Sequence, residues 1–218
     1  MLRQLLKKII FPVLKPASEW YFSKPRWYSY QGLKVKVNPG VFFPHLTIST
    51  KVFLGYLEDQ NLKELSILEL GAGCGIISFQ CSKTGATVTA SDISLAAIKN
   101  LNENKELLGA DIKVVHSDLF DSIPYRFDRV LINPPFYPKN PKTEAEKAWF
   151  CGEEFEYFKK LAQQLKSHLT TEGYALMILS EDCELETITS MFKNQGIQTE
   201  EVFAISQLGE RNFILKLS

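Results

Sequence analysis

One ten-residue stretch constrains this chain more than any other. Ser66 to Gly75 reads S-I-L-E-L-G-A-G-C-G, and an apolar helical pattern begins directly after it at Ile76. A short β-compatible run feeding a glycine turn and then a helix brings backbone N–H groups and the positive end of a helix dipole to one place. Gly71, Gly73 and Gly75 lack the Cβ atoms that would keep a ligand off that backbone. A nucleotide-like cofactor suits such a turn.

The pattern that follows is regular. Period-two apolar runs predict strands over 67–70, 87–91, 112–116, 129–132 and 174–179, and helical periodicity predicts helices over 76–83, 95–108, 155–169 and 185–194. Such alternation predicts an α/β fold, Rossmann-like and doubly wound, with a seven-stranded, mostly parallel sheet and right-handed crossovers. The two final strands, 199–205 and 212–217, are separated by only 206–211. That connection is too short for a crossover helix, so the last strand is expected to run antiparallel. The loop over 134–146 is long and polar, the length of a segment that covers a substrate.

Ahead of this body, residues 1–14 have a helical pattern ended by Pro12 and Pro16, residues 27–37 read as a hairpin around Gln31-Gly32, and a helix is expected over 49–57. Residues 1–37 carry eight basic residues against Glu19, a balance of +7 in a chain of zero net charge, which leaves 17 basic and 24 acidic residues elsewhere. We therefore divide the chain into a basic extension, 1–40, and a catalytic domain, 41–218. A basic arm on an acidic body is suited to an RNA or a ribosome surface, or is simply a solvated arm. The aromatic group Trp20, Tyr21, Phe22, Trp27, Tyr28 and Tyr30 is read as packing.

Several function classes fall away. Cys74, Cys81, Cys151 and Cys183 form no C-x-x-C pair, and His45, His116 and His168 are scattered, so no metal site is expected. The cysteines read as reduced thiols of a cytoplasmic protein. The apolar residues near Ile9 are broken by Pro12 and followed by no small-residue cleavage site, which argues against a signal peptide or a membrane span.

In an open α/β sheet the ligand lies beyond the carboxyl ends of the strands. Those ends hold Glu69 with the glycines, Asp92-Ile93, Asp118-Leu119 and Asn133-Pro134-Pro135-Phe136. Asp92, 21 residues after Gly71, is placed to accept bonds from ribose hydroxyls. It is alternatively the cap of the next helix, although Ser94 fits that cap better. Asp118 can accept an adenine amine or cap a turn. The glycine spacing then selects among cofactors. A dinucleotide turn, G-x-G-x-x-G, would place its third glycine at Ile76, and no phosphate-binding lysine follows the turn, so a nicotinamide oxidoreductase is disfavoured and a P-loop excluded.

With these residues in view, E-L-G-A-G-C-G, Asp92, Asp118 and N-P-P-F resemble the motifs of class I S-adenosyl-L-methionine-dependent methyltransferases over about residues 40–218. N-P-P-F is similar to the signature of members that methylate planar nitrogens: glutamine methyltransferases of release factors, and base methyltransferases of DNA, rRNA and tRNA. The resemblance implies that Glu69, Gly71, Ala72, Gly73 and Gly75 hold the methionine moiety, Asp92 with Ile93 the ribose, and Asp118 with Leu119 the adenine. Asn133, Pro134, Pro135 and Phe136 would be catalytic, and Asn133, Phe136 and Tyr137 would meet the substrate, Asn133 bordering the cofactor as well.

The chemistry is consistent with that assignment. The lone pair of an amide or aniline-like nitrogen is delocalised, and it must be freed and aimed. The Asn133 side-chain oxygen and the Pro134 carbonyl can accept both N–H bonds, while Phe136 lies on the planar face. Orientation for in-line displacement is the large term, about 7–11 kcal/mol for well-placed reactants. For the substrate, 148–152 (A-W-F-C-G) and 209–213 (G-E-R-N-F) resemble release-factor glutamine methyltransferases, whereas Gly40-Val41-Phe42 followed by Ser49-Thr50 is similar to the leading segment of rRNA guanine methyltransferases. A protein glutamine is expected ahead of a nucleobase.

Overall fold

The computed structural model describes residues 23–207 and 209–218. The expected helix over 1–14, the aromatics Trp20, Tyr21 and Phe22, and the basic residues Arg3, Lys7, Lys8 and Lys15 lie outside the described residues.

Two strands, β1 (Arg26–Tyr30) and β2 (Leu33–Val37), form an antiparallel hairpin across Gln31-Gly32. After a 3-10 turn at Pro44–Leu46 comes α1 (Ser49–Glu58). The alternating body follows as β3 (Ser66–Leu70), α2 (Ile76–Ser82), β4 (Thr87–Asp92), α3 (Leu95–Leu108), β5 (Ile112–His116) and β6 (Phe127–Ile132), and then, beyond a long loop, α4 (Glu156–Leu165), β7 (Leu169–Ser180), α5 (Leu185–Asn194), β8 (Thr199–Gln207) and β9 (Glu210–Leu217).

The sheet is seven-stranded in the order β5-β4-β3-β6-β7-β9-β8. Its β3, β4, β5, β6 and β7 are parallel, and β9 runs antiparallel to both neighbours, β7 and β8. The short link expected over 206–211 tightens to a hairpin with Gln207 opposite Glu210. That hairpin inserts the final strand inside the sheet and leaves β8 at the edge. Strand order reverses between β3 and β6, which opens a crevice above their carboxyl ends.

Side chains alternate across the sheet and build two cores. Ile67, Leu131, Leu176 and Ile178 face α1, α2 and the hairpin; Leu68, Leu70, Val130, Ile132 and Met177 face α4 and α5 through Phe158, Leu161, Ile188 and Phe192. The hairpin shares the first core, burying Tyr28, Leu33, Val35 and Val37. Its end is tied to α3 by two fully buried asparagines. Asn104 accepts from Lys36 N at 2.9 Å and donates to Lys36 O at 2.8 Å and Cys74 O at 3.0 Å, while Asn100 accepts from Asn38 N and donates to Lys36 O. Trp27, read from sequence as packing, is instead 48% exposed, with Lys34 Nζ 4.6 Å over its ring.

The helix expected over 155–169 stops at Leu165, continues as a 3-10 turn over Lys166–His168, and gives way to β7 already at Leu169. Leu169 pairs with Phe127, and the register shifts before Tyr174 meets Arg129. Gly173 makes this irregularity possible: a Cβ there would stand 2.6 Å from Phe127 O and 2.8 Å from Thr170 N. A bulge of this kind breaks period two, so the early half of β7 carries no strand pattern. Among the described residues no helix is long and apolar enough to cross a membrane, and no group of three or more His, Cys, Asp or Glu could hold a metal ion.

Candidate active site

The four strand ends converge. A crevice of about 360 Å³ is lined by Glu69, Gly71, Ala72 and Gly73 after β3, by Asp92 and Ile93 after β4, by Asp118 and Leu119 after β5, and by Asn133 to Tyr137 after β6. Of the residues expected from sequence, Gly75 is the one that does not line it. At φ +82° it starts α2, and a Cβ there would stand 2.6 Å from Leu101 Cδ2 and 2.7 Å from Phe79 Cε2. Gly75 is therefore a packing glycine under the turn. Gly71, also at positive φ, faces open space, and that is where a ligand can approach the backbone.

The turn is held by the acids around it. Asp92 accepts from Gly73 N through Oδ2 at 2.9 Å and from Ser94 N through Oδ1 at 2.8 Å. Ser94 does cap α3, accepting from Ala97 N at 3.4 Å. Leaving the cap to Ser94 does not leave Asp92 unengaged, because both its oxygens already hold backbone. Each carboxylate oxygen has a second lone pair, which leaves room for ligand hydroxyls. Burial raises the Asp92 pKa by more than the N–H groups of Ser94, Gly73 and Ile93 lower it.

Glu69 is buried beneath the same turn and accepts from Ser78 N at 2.8 Å and from the Ser78 hydroxyl. Desolvation pushes its carboxyl up to about 8 despite those bonds, and Asp92 adds to the effect. A cation placed in this crevice would meet Glu69, Asp92 and Asp118.

Asp118 is half exposed and paired with Lys160 Nζ at 2.7 Å, which also holds Asp121 at 2.7 Å. Burial pulls the Lys160 pKa down, but these two carboxylates outweigh it and the net shift is upward. Leu119 sits at φ +51°, a left-handed conformation a leucine adopts only under local constraint. Lys160 and Tyr157 escaped the sequence reading. They line the crevice from α4, three residues apart on one helical face, and within an amphipathic helix that spacing marks no ligand role. The Tyr157 hydroxyl pKa is raised, first by burial and then by Asp92 and Asp118.

At the opposite end stands Asn133, whose Nδ2 donates to Thr50 Oγ1 of α1 at 3.3 Å. Phe136 and Tyr137 follow, rings 4.7 Å apart. The loop beyond them folds back over the crevice. Tyr137 N donates to Trp149 O at 3.1 Å and Cys151 N to Tyr137 O at 3.0 Å, with a 3-10 turn, Glu144–Ala148, between these arms. Trp149 then meets Phe42 edge-on at 5.1 Å. That end of the crevice is thus walled by Phe42, Pro44, Phe136, Tyr137 and Trp149, an apolar slot suited to a flat group.

A family model described as Methyltransferase small domain matches residues 32–206. The chain is 37% identical over 177 residues to a putative protein N5-glutamine methyltransferase of Methanocaldococcus jannaschii, spanning 78% of this chain and 87% of that one. It is 30% identical over 159 residues to a release factor glutamine methyltransferase of Lactococcus lactis, spanning 67% of this chain and 58% of the relative. Among solved structures, the 16S rRNA N2 G1207 methyltransferase of T. thermophilus in complex with AdoMet and guanosine superposes with a TM-score of 0.61 at 19% identity, covering 89% of this chain and 50% of that one.

Proposed function

The chain belongs to the methyltransferase small-domain family and is an S-adenosylmethionine-dependent methyltransferase, and from that premise we propose that it methylates the side-chain amide nitrogen of a glutamine in a translation release factor. The residues present fit the cofactor: Gly71 leaves open space where a Cβ would stand, and the crevice is edged with carboxylates that suit a sulfonium and an ammonium. Bound there, S-adenosylmethionine supplies an electrophilic methyl group.

The observation that carries the reading is that Asn133 and the glycine turn, on the neighbouring strands β6 and β3, open into one crevice. The Asn133 side-chain oxygen and the Pro134 carbonyl accept the two N–H bonds of the amide, which draws its lone pair out of conjugation and aims it along the line of displacement. Methyl transfer to that nitrogen would leave an N-protonated amide acidic enough to release its extra proton to water as the product departs, so no side-chain base is needed. Phe136 and Tyr137 flank the amide plane, and Trp149 with Phe42 keeps water out. Asp92 holds the ribose, and Asp118 with Leu119 the adenine. Residues 41–218 form the catalytic unit, with the hairpin packed against it. The enzyme works in the cytoplasm, where release factors act, and the basic N-terminal arm contacts the ribosome or its RNA.

Purified enzyme, tritiated S-adenosylmethionine and either release factor or ribosomal RNA provide the test. Label on a glutamine of the release factor is expected; label on RNA alone would overturn the glutamine reading. A base in rRNA is the second reading, favoured by the exposed Trp27 with Lys34 over its ring.

A further inference from the structure

Asn133 can work in only one orientation of its amide. Oδ1 must face the crevice to accept from the incoming nitrogen; the flipped amide would present Nδ2, a donor, to the N–H groups of the acceptor. The two ends are nearly isosteric, and productive binding needs a neighbour that holds the side chain in place.

That neighbour lies outside the N-P-P-F motif. Thr50, in the first turn of α1 and 3% exposed, takes Asn133 Nδ2 on its hydroxyl at 3.3 Å. Thr47 and Ser49 also border the crevice, but their hydroxyls bond to each other at 2.9 Å, and of the three it is Thr50 that engages Asn133. Thr50 is carried on a helix packed against β7 and β9, whereas Asn133 directly follows β6. The bond therefore ties the catalytic amide to a rigid element 83 residues away in the chain.

We infer that Thr50 is a positioning residue that anchors the Asn133 side-chain amide in the crevice where the methyl acceptor enters. The inference rests on the reading of Asn133 as the group that accepts the substrate N–H. A valine at position 50 keeps the shape and volume but offers no hydroxyl, so the Asn133 side chain would lose its tether to α1.

Single-turnover methyl transfer to purified release factor, compared among the wild type, Thr50→Val, Thr50→Ser and Asn133→Ala, tests this. Thr50→Val should slow transfer about tenfold, the worth of one neutral hydrogen bond. Its affinity for S-adenosylmethionine, by calorimetry, should stay within about twofold of wild type, and Thr50→Ser should restore most of the rate. A Thr50→Val rate equal to wild type, or a parallel loss of cofactor affinity, would overturn the inference. If Asn133→Ala keeps the wild-type rate, the reading of Asn133 fails first, and the position of Thr50 no longer bears on turnover. Should the valine variant not fold, solvent exchange of the Asn133 side-chain amide protons decides instead: slower exchange in wild type than in Thr50→Ala supports the bond, and equal exchange refutes it.

Discussion

The Glu69 carboxylate makes a quantitative prediction about stability and pH. It is buried, its partners are the Ser78 N–H and hydroxyl, and desolvation carries its pKa from 4.5 to about 8. Between those values the folded protein keeps a proton that the unfolded chain has released. Stability is then fully present below pH 4.5 and is lost as pH rises through about 8. At about 1.4 kcal/mol per pH unit the loss amounts to about 5 kcal/mol across the window. Glu69→Gln keeps an oxygen for Ser78 and has nothing to titrate. Urea unfolding at half-unit pH steps should therefore show the variant and the wild type alike near pH 4.5 and the variant more stable by several kcal/mol at pH 9. Titrating groups remote from Glu69 cancel in the difference, whereas Asp92, which interacts with Glu69, contributes in the same window. A difference that stays flat with pH would refute the account. The same group links to the cofactor, because a cation beside Glu69 favours its ionised form. Wild-type affinity for S-adenosylmethionine should rise toward pH 8 relative to the variant, and coincident pH profiles would show that Glu69 does not sense the ligand.

Other perturbations follow from the geometry. Asn133→Ala should lower methyl transfer by about a hundredfold through lost orientation, with cofactor affinity by calorimetry unchanged; loss of both would make Asn133 a residue of the fold. Gly75→Ala forces a side chain to φ +82° and against Leu101 and Phe79, a loss of about 3 kcal/mol in urea unfolding; a loss below about 1 kcal/mol would show that those side chains step aside freely. Asn104→Ala strands Lys36 N–H and Cys74 O and should remove about 3 kcal/mol, with faster hydrogen exchange at the Lys36 amide as the local signature.

Much of this molecule was legible because its information is local. The strand, glycine turn and helix at 66–82 are consecutive, so spacing alone pointed to Gly71, Gly73 and Gly75 as a ligand-facing turn, of which Gly71 and Gly73 line the crevice, and showed that Ile76 stands where a dinucleotide turn needs its third glycine. The rule that ligands gather at strand carboxyl ends then brought Asp92, Asp118 and Asn133 to the same crevice without any knowledge of strand order. Helix α3 fell on 95–108 because its apolar spacing, its Ser94 cap and its Gly109 terminus all agree.

What only the tertiary structure decided depends on partners far along the chain. A glycine reads the same whether it opens space for a ligand or avoids Leu101, and only the packing of α2 on α3 separates Gly71 from Gly75. A carboxylate at a strand end reads as free until Gly73 N and Ser94 N are found on its oxygens. Tyr157 and Lys160 lie on an ordinary amphipathic helix, and they reach the crevice because β7 pairs beside β6 and sets α4 over it. Thr50 meets Asn133 for the same reason, through a helix seated on strands that the chain reaches more than a hundred residues later. Sequence determined which elements form and which strand ends line the crevice, since both follow from short-range periodicity and turn geometry. The pairing order of the strands determined which side chains those ends face, and that in turn set their hydrogen bonds, their ionisation and their work.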